Sequence, residues 1–287
     1  MTDTLILPDF VIIGAVKGAT TWLHGQLQAN PGVYLPDPEP HFFSRDYQRG
    51  FAFYADFFRG AAPGQLLGEK SADYLAHPQA PARLARALPG VPLVVQLRNP
   101  VERAYSDYKM LYRRGTIRGG PELHLTPANR DHRRFLEDGL YAKHLRRWFD
   151  HFPRHQIKVL LYEDVRNSPE DTVRSVCRHI GAPEVYSPSS GARRFNDASE
   201  RFLPLGMRRL LKPLKGAVKP LRNNAMFTRV RGLLAREIAY PPLTPVLRQA
   251  LMDYYADDVV QLSELIGREL GPWVGIDLAP PRRAAAG

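Results

Sequence analysis

Short runs of Val, Ile and Leu, bounded by turn-forming residues, recur at 10–14 (FVIIG), 66–68 (LLG), 92–97 (PLVVQL) and 157–161 (IKVLL). Continuous apolar runs of this length predict strands buried on both faces. Between them, helical spacing of apolar residues with Thr, Pro or Asn-Pro start signals predicts helices over 20–28, 78–88, 101–112, 141–149 and 169–180. Strand alternating with helix implies an α/β fold, a central parallel sheet flanked by helices on both faces. From 244 to 265 the pattern is helical only (Val246, Leu247, Leu251, Tyr254, Tyr255, Val259, Leu262, Leu265), so the C-terminal part is expected to pack as helices on the sheet.

No internal repeat breaks the 287 residues, and one domain is expected over 1–278 with a disordered tail at 279–287. Hydrophobic and charged contents of 44% and 24% are those of a globular protein rather than a disordered one. One cysteine, Cys177, leaves no intrachain disulfide, and neither a membrane-spanning run nor a signal-peptide start is seen, so the expected location is cytoplasmic. The net charge of +11 changes meaning once it is located, because 193–236 holds twelve Lys and Arg against Asp197 and Glu200. Such a block is either a solvated face or the seat of an anionic partner: phosphate, sulfate, an acidic glycan or a lipid headgroup. Nucleic acid is not an expected partner. Within the divergent segment 187–242, residues 207–221 interleave apolar and basic positions at helical spacing. That stretch can lie on an anionic membrane or, broken at Pro213 and Pro220, cover an acceptor cleft.

Candidate chemistry begins at the first strand. It runs into Gly14-Ala15-Val16-Lys17-Gly18-Ala19-Thr20-Thr21-Trp22, a small-residue loop that opens a helix. Glycines that let the backbone approach, a lysine, two hydroxyls and a helix N-terminus outline a phosphate cradle. It is not a Walker A loop, since the lysine precedes Gly18 and no Gly-Lys pair follows. Trp22 suits either an adenine face or the core. A second anion site is outlined by Arg98-Asn99-Pro100, which ends the third strand and starts a helix carrying Ser106 about two turns on. Arg98 then stands at the strand's carboxyl end, where open α/β sheets bind ligands. Between these loops lie Pro36-Asp37-Pro38-Glu39-Pro40-His41-Phe42-Phe43 and Gly68-Glu69-Lys70-Ser71-Ala72-Asp73-Tyr74. Glu39, ahead of an aromatic pair that can desolvate it, is a candidate general base, and His41 competes with it.

These motifs, in this order, resemble those of the sulfotransferases that use 3′-phosphoadenosine 5′-phosphosulfate (PAPS), closest to the carbohydrate or heparan-type branch. The resemblance extends from about Phe10 to the Gly267-Arg268-Glu269-Leu270-Gly271-Pro272-Trp273 ending. It implies a P-loop-like fold. It also implies 5′-phosphosulfate binding by Lys17, Gly18, Ala19, Thr20, Thr21 and Trp22, and 3′-phosphate binding by Arg98 and Ser106. Glu39 is implied as the catalytic base, with His41 as the competing one, and Lys17 and Lys70 as cations at the transferred group. Arg193 and Arg194 stand where the family closes a loop over the nucleotide. The implied reaction moves a sulfonate from PAPS to a hydroxyl, less readily an amine, of a carbohydrate, glycolipid or glycosylated natural product, without a metal. The rival readings are a nucleotide-dependent kinase and a non-catalytic binder of acidic glycans or membranes through 193–236.

Overall fold

The computed structural model of the chain describes residues 5–129, 134–188 and 238–277. A five-stranded sheet of β1 (Phe10–Gly14), β2 (Val33–Tyr34), β3 (Leu66–Lys70), β4 (Leu93–Leu97) and β5 (Ile157–Leu161) forms its centre. The order is β2-β3-β1-β4-β5, and every pairing is parallel. Parallel neighbours require crossovers. These are supplied by α1 (Thr20–Gln28), α2 (Gly50–Ala55), α3 (Ala80–Ala87) and α4 (Pro100–Arg114), followed by α5 (Glu122–Leu125), α6 (Arg134–Glu137) and α7 (Tyr141–Phe149). Beyond β5 come α8 (Tyr162–Asn167), α9 (Pro169–Ile180) and α10 (Pro245–Ile266).

Side chains of a strand alternate between faces, and here the alternation divides the interior in two. Val11, Ile13, Leu93, Val95 and Leu97 enter one core, closed by Leu84 of α3, Tyr108 of α4, Trp148 of α7 and Tyr255 of α10. Phe10, Ile12 and Val94 enter the other, closed by Leu23 and Leu27 of α1 and by Val173 and Val176 of α9. The helix ends follow from their residues. Asn99 caps α4, its Oδ1 accepting the Val101 and Glu102 amides at 2.9 and 3.3 Å, and Pro100 takes the first turn, where no N–H is needed. Thr244 and Pro245 start α10 in the same way. The α7 N-terminus is capped from another helix, by the Asp258 carboxylate accepting the Ala142 and Lys143 amides at 3.0 and 3.1 Å.

The expected parallel sheet, its two helical faces and the helical C-terminal part are all present. Two features depart from expectation. β2, only two residues long, pairs at the sheet edge, and the strand expected at 66–68 continues through Glu69 and Lys70. No helix among the described residues is long and apolar enough to cross a membrane. The basic block 193–236, including Arg193, Arg194 and the stretch 207–221, lies outside the described residues.

Candidate active site

The first wall of the site is the turn from β1 into α1. Lys17 and Ala19 both adopt left-handed backbone, with φ of 65° and 69°, a conformation that costs a residue with a Cβ and collects at functional turns. The helix opens at Thr20 as expected, and the N-cap before it is Ala19, which offers no side-chain hydrogen bond. The positive end of the α1 dipole lies at this turn. Gly18 is demanded by close approach: a Cβ there would lie 2.3 Å from the Gln96 carbonyl oxygen and 3.0 Å from that of Ala15. Lys17 reaches toward α4, its Nζ 3.9 Å from Met110 Sδ. Trp22 is buried in the α1-side core and also contributes to the cleft wall.

The second wall is the β4–α4 junction. The Arg98 guanidinium lies over the Tyr162 ring, 4.9 Å from its centroid, and 3.9 Å from Glu102 Oε2. Its backbone carbonyl accepts the Tyr141 hydroxyl at 2.9 Å. Ser106, further along α4, lines the same cleft of about 690 Å³ as Arg98, Lys17, Thr20, Thr21 and Glu39. Motifs separated by some eighty residues thus converge on one space. The sequence reading missed that Arg45, Arg113, Arg114 and Arg134 also line it, with Asp73 and Asp138 as its acids besides Glu39. The excess of cations suits a ligand with several negative charges.

The third wall is built from 39–45 and 69–74. Lys70 Nζ, nearly fully buried, is 2.7 Å from Glu39 Oε1, while Glu39 Oε2 accepts the Ala72 amide at 3.1 Å and lies 3.9 Å from His41 Nε2. Glu39 stays 29% exposed at its side chain. The aromatic pair expected to desolvate it turns inward instead: Phe42 and Phe43 are fully buried, and Phe42 stacks on Tyr54. The immediate partner of the carboxylate is the lysine. His41 Nδ1 is 2.7 Å from Asp73 Oδ1, and Asp73 Oδ2 accepts Ser44 Oγ and Arg45 Nε, each at 3.0 Å. Burial raises the Asp73 carboxyl, but its bond to His41 and the nearby charges of His41 and Arg45 outweigh this and bring it below the usual carboxylate range. Beneath this wall, Glu69 is fully buried and accepts hydroxyls from Ser71 at 2.6 Å, from Tyr74 at 2.5 Å and from Tyr54. Burial pushes its carboxyl up to about 7 against the lowering effect of those hydrogen bonds. Sequence reasoning missed both Asp73 and Glu69. Asp73 carried a signal in its spacing, three residues after Lys70 on the same turn.

A lysine- and glycine-bearing turn after the first strand of a parallel sheet, an Arg at the carboxyl end of the neighbouring strand and a lysine-paired carboxylate give an α/β protein whose cleft suits a polyanionic ligand. A sulfotransferase family model matches residues 46–187. The mouse heparan sulfate glucosamine 3-O-sulfotransferase 3A1 is 32% identical over 279 residues, covering 94% of this chain and 65% of the mouse protein. The human bifunctional heparan sulfate N-deacetylase/N-sulfotransferase 3 is 29% identical over 305 residues, covering 96% of this chain and 32% of its own length. A solved sulfotransferase from Alicyclobacillus acidocaldarius superposes with a TM-score of 0.70 at 26% identity, covering 93% of this chain and 99% of that one. The chain belongs to the sulfotransferase family. It spans less than two thirds of the length of the mouse relative.

Proposed function

We propose that this protein transfers a sulfonate group from PAPS to a hydroxyl, less readily an amine, of a carbohydrate, glycolipid or glycosylated natural product. The observation that carries the reading is Glu39, paired at 2.7 Å with the buried Lys70 and lining the same cleft as Lys17, Thr20, Thr21, Arg98 and Ser106. PAPS supplies an activated sulfonate on a phosphate leaving group. The turn at 17–22 would hold the 5′-phosphosulfate end, with Lys17 and the α1 N-terminus facing its charge. Arg98 and Ser106 would take the 3′-phosphate, a charge-assisted contact that ADP and ATP cannot make. Tyr162 under the Arg98 guanidinium holds it in place for this task.

Glu39 would accept the acceptor's proton as the acceptor oxygen bonds to sulfur, and the bond from sulfur to the phosphate oxygen breaks in line, releasing 3′-phosphoadenosine 5′-phosphate (PAP). Lys70 orients Glu39 through their 2.7 Å contact, and it would place positive charge where the sulfonate oxygens gather negative charge. His41 is held toward Asp73 at 2.7 Å and stands 3.9 Å from Glu39, which suits it to orient an acceptor hydroxyl beside the base. The relatives whose names specify heparan sulfate support a carbohydrate acceptor, and the Arg113, Arg114 and Arg134 rim suits one bearing negative charge. A cytoplasmic setting completes the proposal. A kinase reading gains nothing from the site, because Lys17 precedes Gly18 instead of following a glycine.

Labelled PAPS incubated with heparan-type polysaccharides, a glycolipid and a simple phenol tests this directly. Transfer to a sugar acceptor that is lost in Lys17→Ala is the expected result; transfer to none of them, or to the phenol alone, overturns the carbohydrate reading.

A further inference from the structure

The segment 39–44 carries the proposed base and leads into a π-helical turn at Phe42–Asp46, and His41, the N-cap of that turn, adopts left-handed backbone with φ of 51°. Such a conformation persists only where the surroundings impose it. Two backbone amides of this segment show how. His41 N–H donates to Ser71 Oγ at 2.8 Å, and Phe43 N–H donates to the Tyr74 hydroxyl at 3.0 Å. An amide can only donate, so each hydroxyl is the acceptor there and has a single proton left to give. Both give it to the same atom, Glu69 Oε1, at 2.6 Å from Ser71 and 2.5 Å from Tyr74. Tyr54 donates to the other carboxylate oxygen. Glu69 is fully buried, reaches neither Glu39 nor the cleft wall, and is used by no step of the proposed reaction.

We propose that Glu69 is a positioning residue: its buried carboxylate fixes the direction of two hydroxyl relays, through Ser71 and Tyr74, that hold the His41 and Phe43 amides and so present Glu39 and His41 to the acceptor. The inference rests on the reading of Glu39 as the base, and it adds a group that no motif on the cleft surface reveals. The relay needs an acceptor oxygen at the Oε1 position. A glutamine can keep its single oxygen there and turn its amide nitrogen toward Tyr54. A methionine of similar length offers only a thioether sulfur, a weak acceptor, in place of the carboxylate oxygens.

Glu69→Gln and Glu69→Met therefore form the test, with three readouts: PAP affinity by calorimetry, kcat for sulfonate transfer, and amide hydrogen exchange at His41 and Phe43. Glu69→Gln is expected to keep kcat within about threefold of native. Glu69→Met should lose at least about tenfold in kcat, with PAP affinity unchanged within about twofold and with faster exchange at both amides, as a displacement near 1 Å at the reacting groups would cause. Native kcat and native exchange in Glu69→Met overturn the proposal, as does a loss of PAP binding that parallels the loss of kcat. Should Glu69→Met fail to fold, Ser71→Ala and Ser71→Thr decide: the alanine should lose kcat and His41 protection while threonine restores both, and equal behaviour of the two overturns the relay. If the native chain binds no PAP, the sulfotransferase reading fails by itself, while the exchange measurement still tests the relay.

Discussion

Replacing Glu39 by Gln separates two roles of one carboxylate, the observed partner of Lys70 and the proposed general base. Glu39 Oε1 lies 2.7 Å from Lys70 Nζ, and Oε2 accepts the Ala72 amide at 3.1 Å. A glutamine side chain has one acceptor oxygen for these two donors, so its amide nitrogen must meet either Lys70 or the Ala72 N–H. At an effective dielectric of about 20, two charges at this separation attract by roughly 6 kcal/mol before desolvation is counted. Breaking a buried pair costs about 3–5 kcal/mol, and Glu39 is 29% exposed, so water recovers part of that loss. A net cost of about 2–3 kcal/mol is expected, which for a chain of this size is a fall of about 4–5 °C in Tm. Loss of the general base should lower kcat by about a hundredfold to ten-thousandfold. PAP affinity should stay near native, because the nucleotide contacts proposed above belong to the other two walls. Calorimetric melting, PAP titration and single-turnover transfer of labelled sulfonate read the three effects separately. A Glu39→Gln kcat within about tenfold of native, with native PAP binding, would refute Glu39 as the base and move that role to His41.

Two further outcomes follow from the geometry. His144 is buried, with Nε2 2.7 Å from the Glu137 carbonyl and Nδ1 2.7 Å from the Arg147 guanidinium, and burial pushes its imidazole down to about 4. The unfolded chain thus binds a proton near pH 6.5 that the folded chain refuses until near pH 4, so stability is full above pH 6.5 and falls by about 3 kcal/mol on acidification through that window. His144→Gln, which keeps one donor and one acceptor, should flatten that part of the pH–Tm curve; an unchanged slope would show that His144 is not its source. Gly18→Ala should weaken PAP binding by about tenfold or more and lower Tm, because its Cβ meets only backbone atoms that cannot rotate away; native affinity would show that the turn opens without cost.

The sheet was legible because its strands are continuous apolar runs whose alternate residues feed two separate cores, and the long helices because their apolar stripes and start signals agree. β2 was not legible: Val33 and Tyr34 are too few to carry a period, and their strand character comes from pairing with Leu66 and Leu67. The aromatic turn at 42–58 escaped for another reason, since tertiary stacking of Phe42, Phe43 and Tyr54 holds it in place of any local pattern. At the cleft, the sequence singled out Lys17, Glu39, Arg98 and Ser106, which line it together, and the resemblance added Lys70, which pairs with Glu39. It could not show that Phe42 and Phe43 turn away from Glu39, because the direction of a loop side chain is set by what lies beneath it. Glu69 was hidden most completely. In a linear reading it is one acid at a strand end, and only the fold brings Tyr54, Ser71 and Tyr74 around it.

The central claim is that Arg98 and Ser106 recognise a 3′-phosphate while the Lys17 turn holds the 5′ end of the same nucleotide. Titrating PAP and ADP calorimetrically against the native chain and Arg98→Ala tests it most directly. A charge-assisted contact of about 1.5–3 kcal/mol predicts a preference for PAP of roughly tenfold to a hundredfold in the native chain, lost in Arg98→Ala while ADP affinity is unchanged. Equal binding of PAP and ADP by the native chain, or a preference that survives in Arg98→Ala, would contradict it.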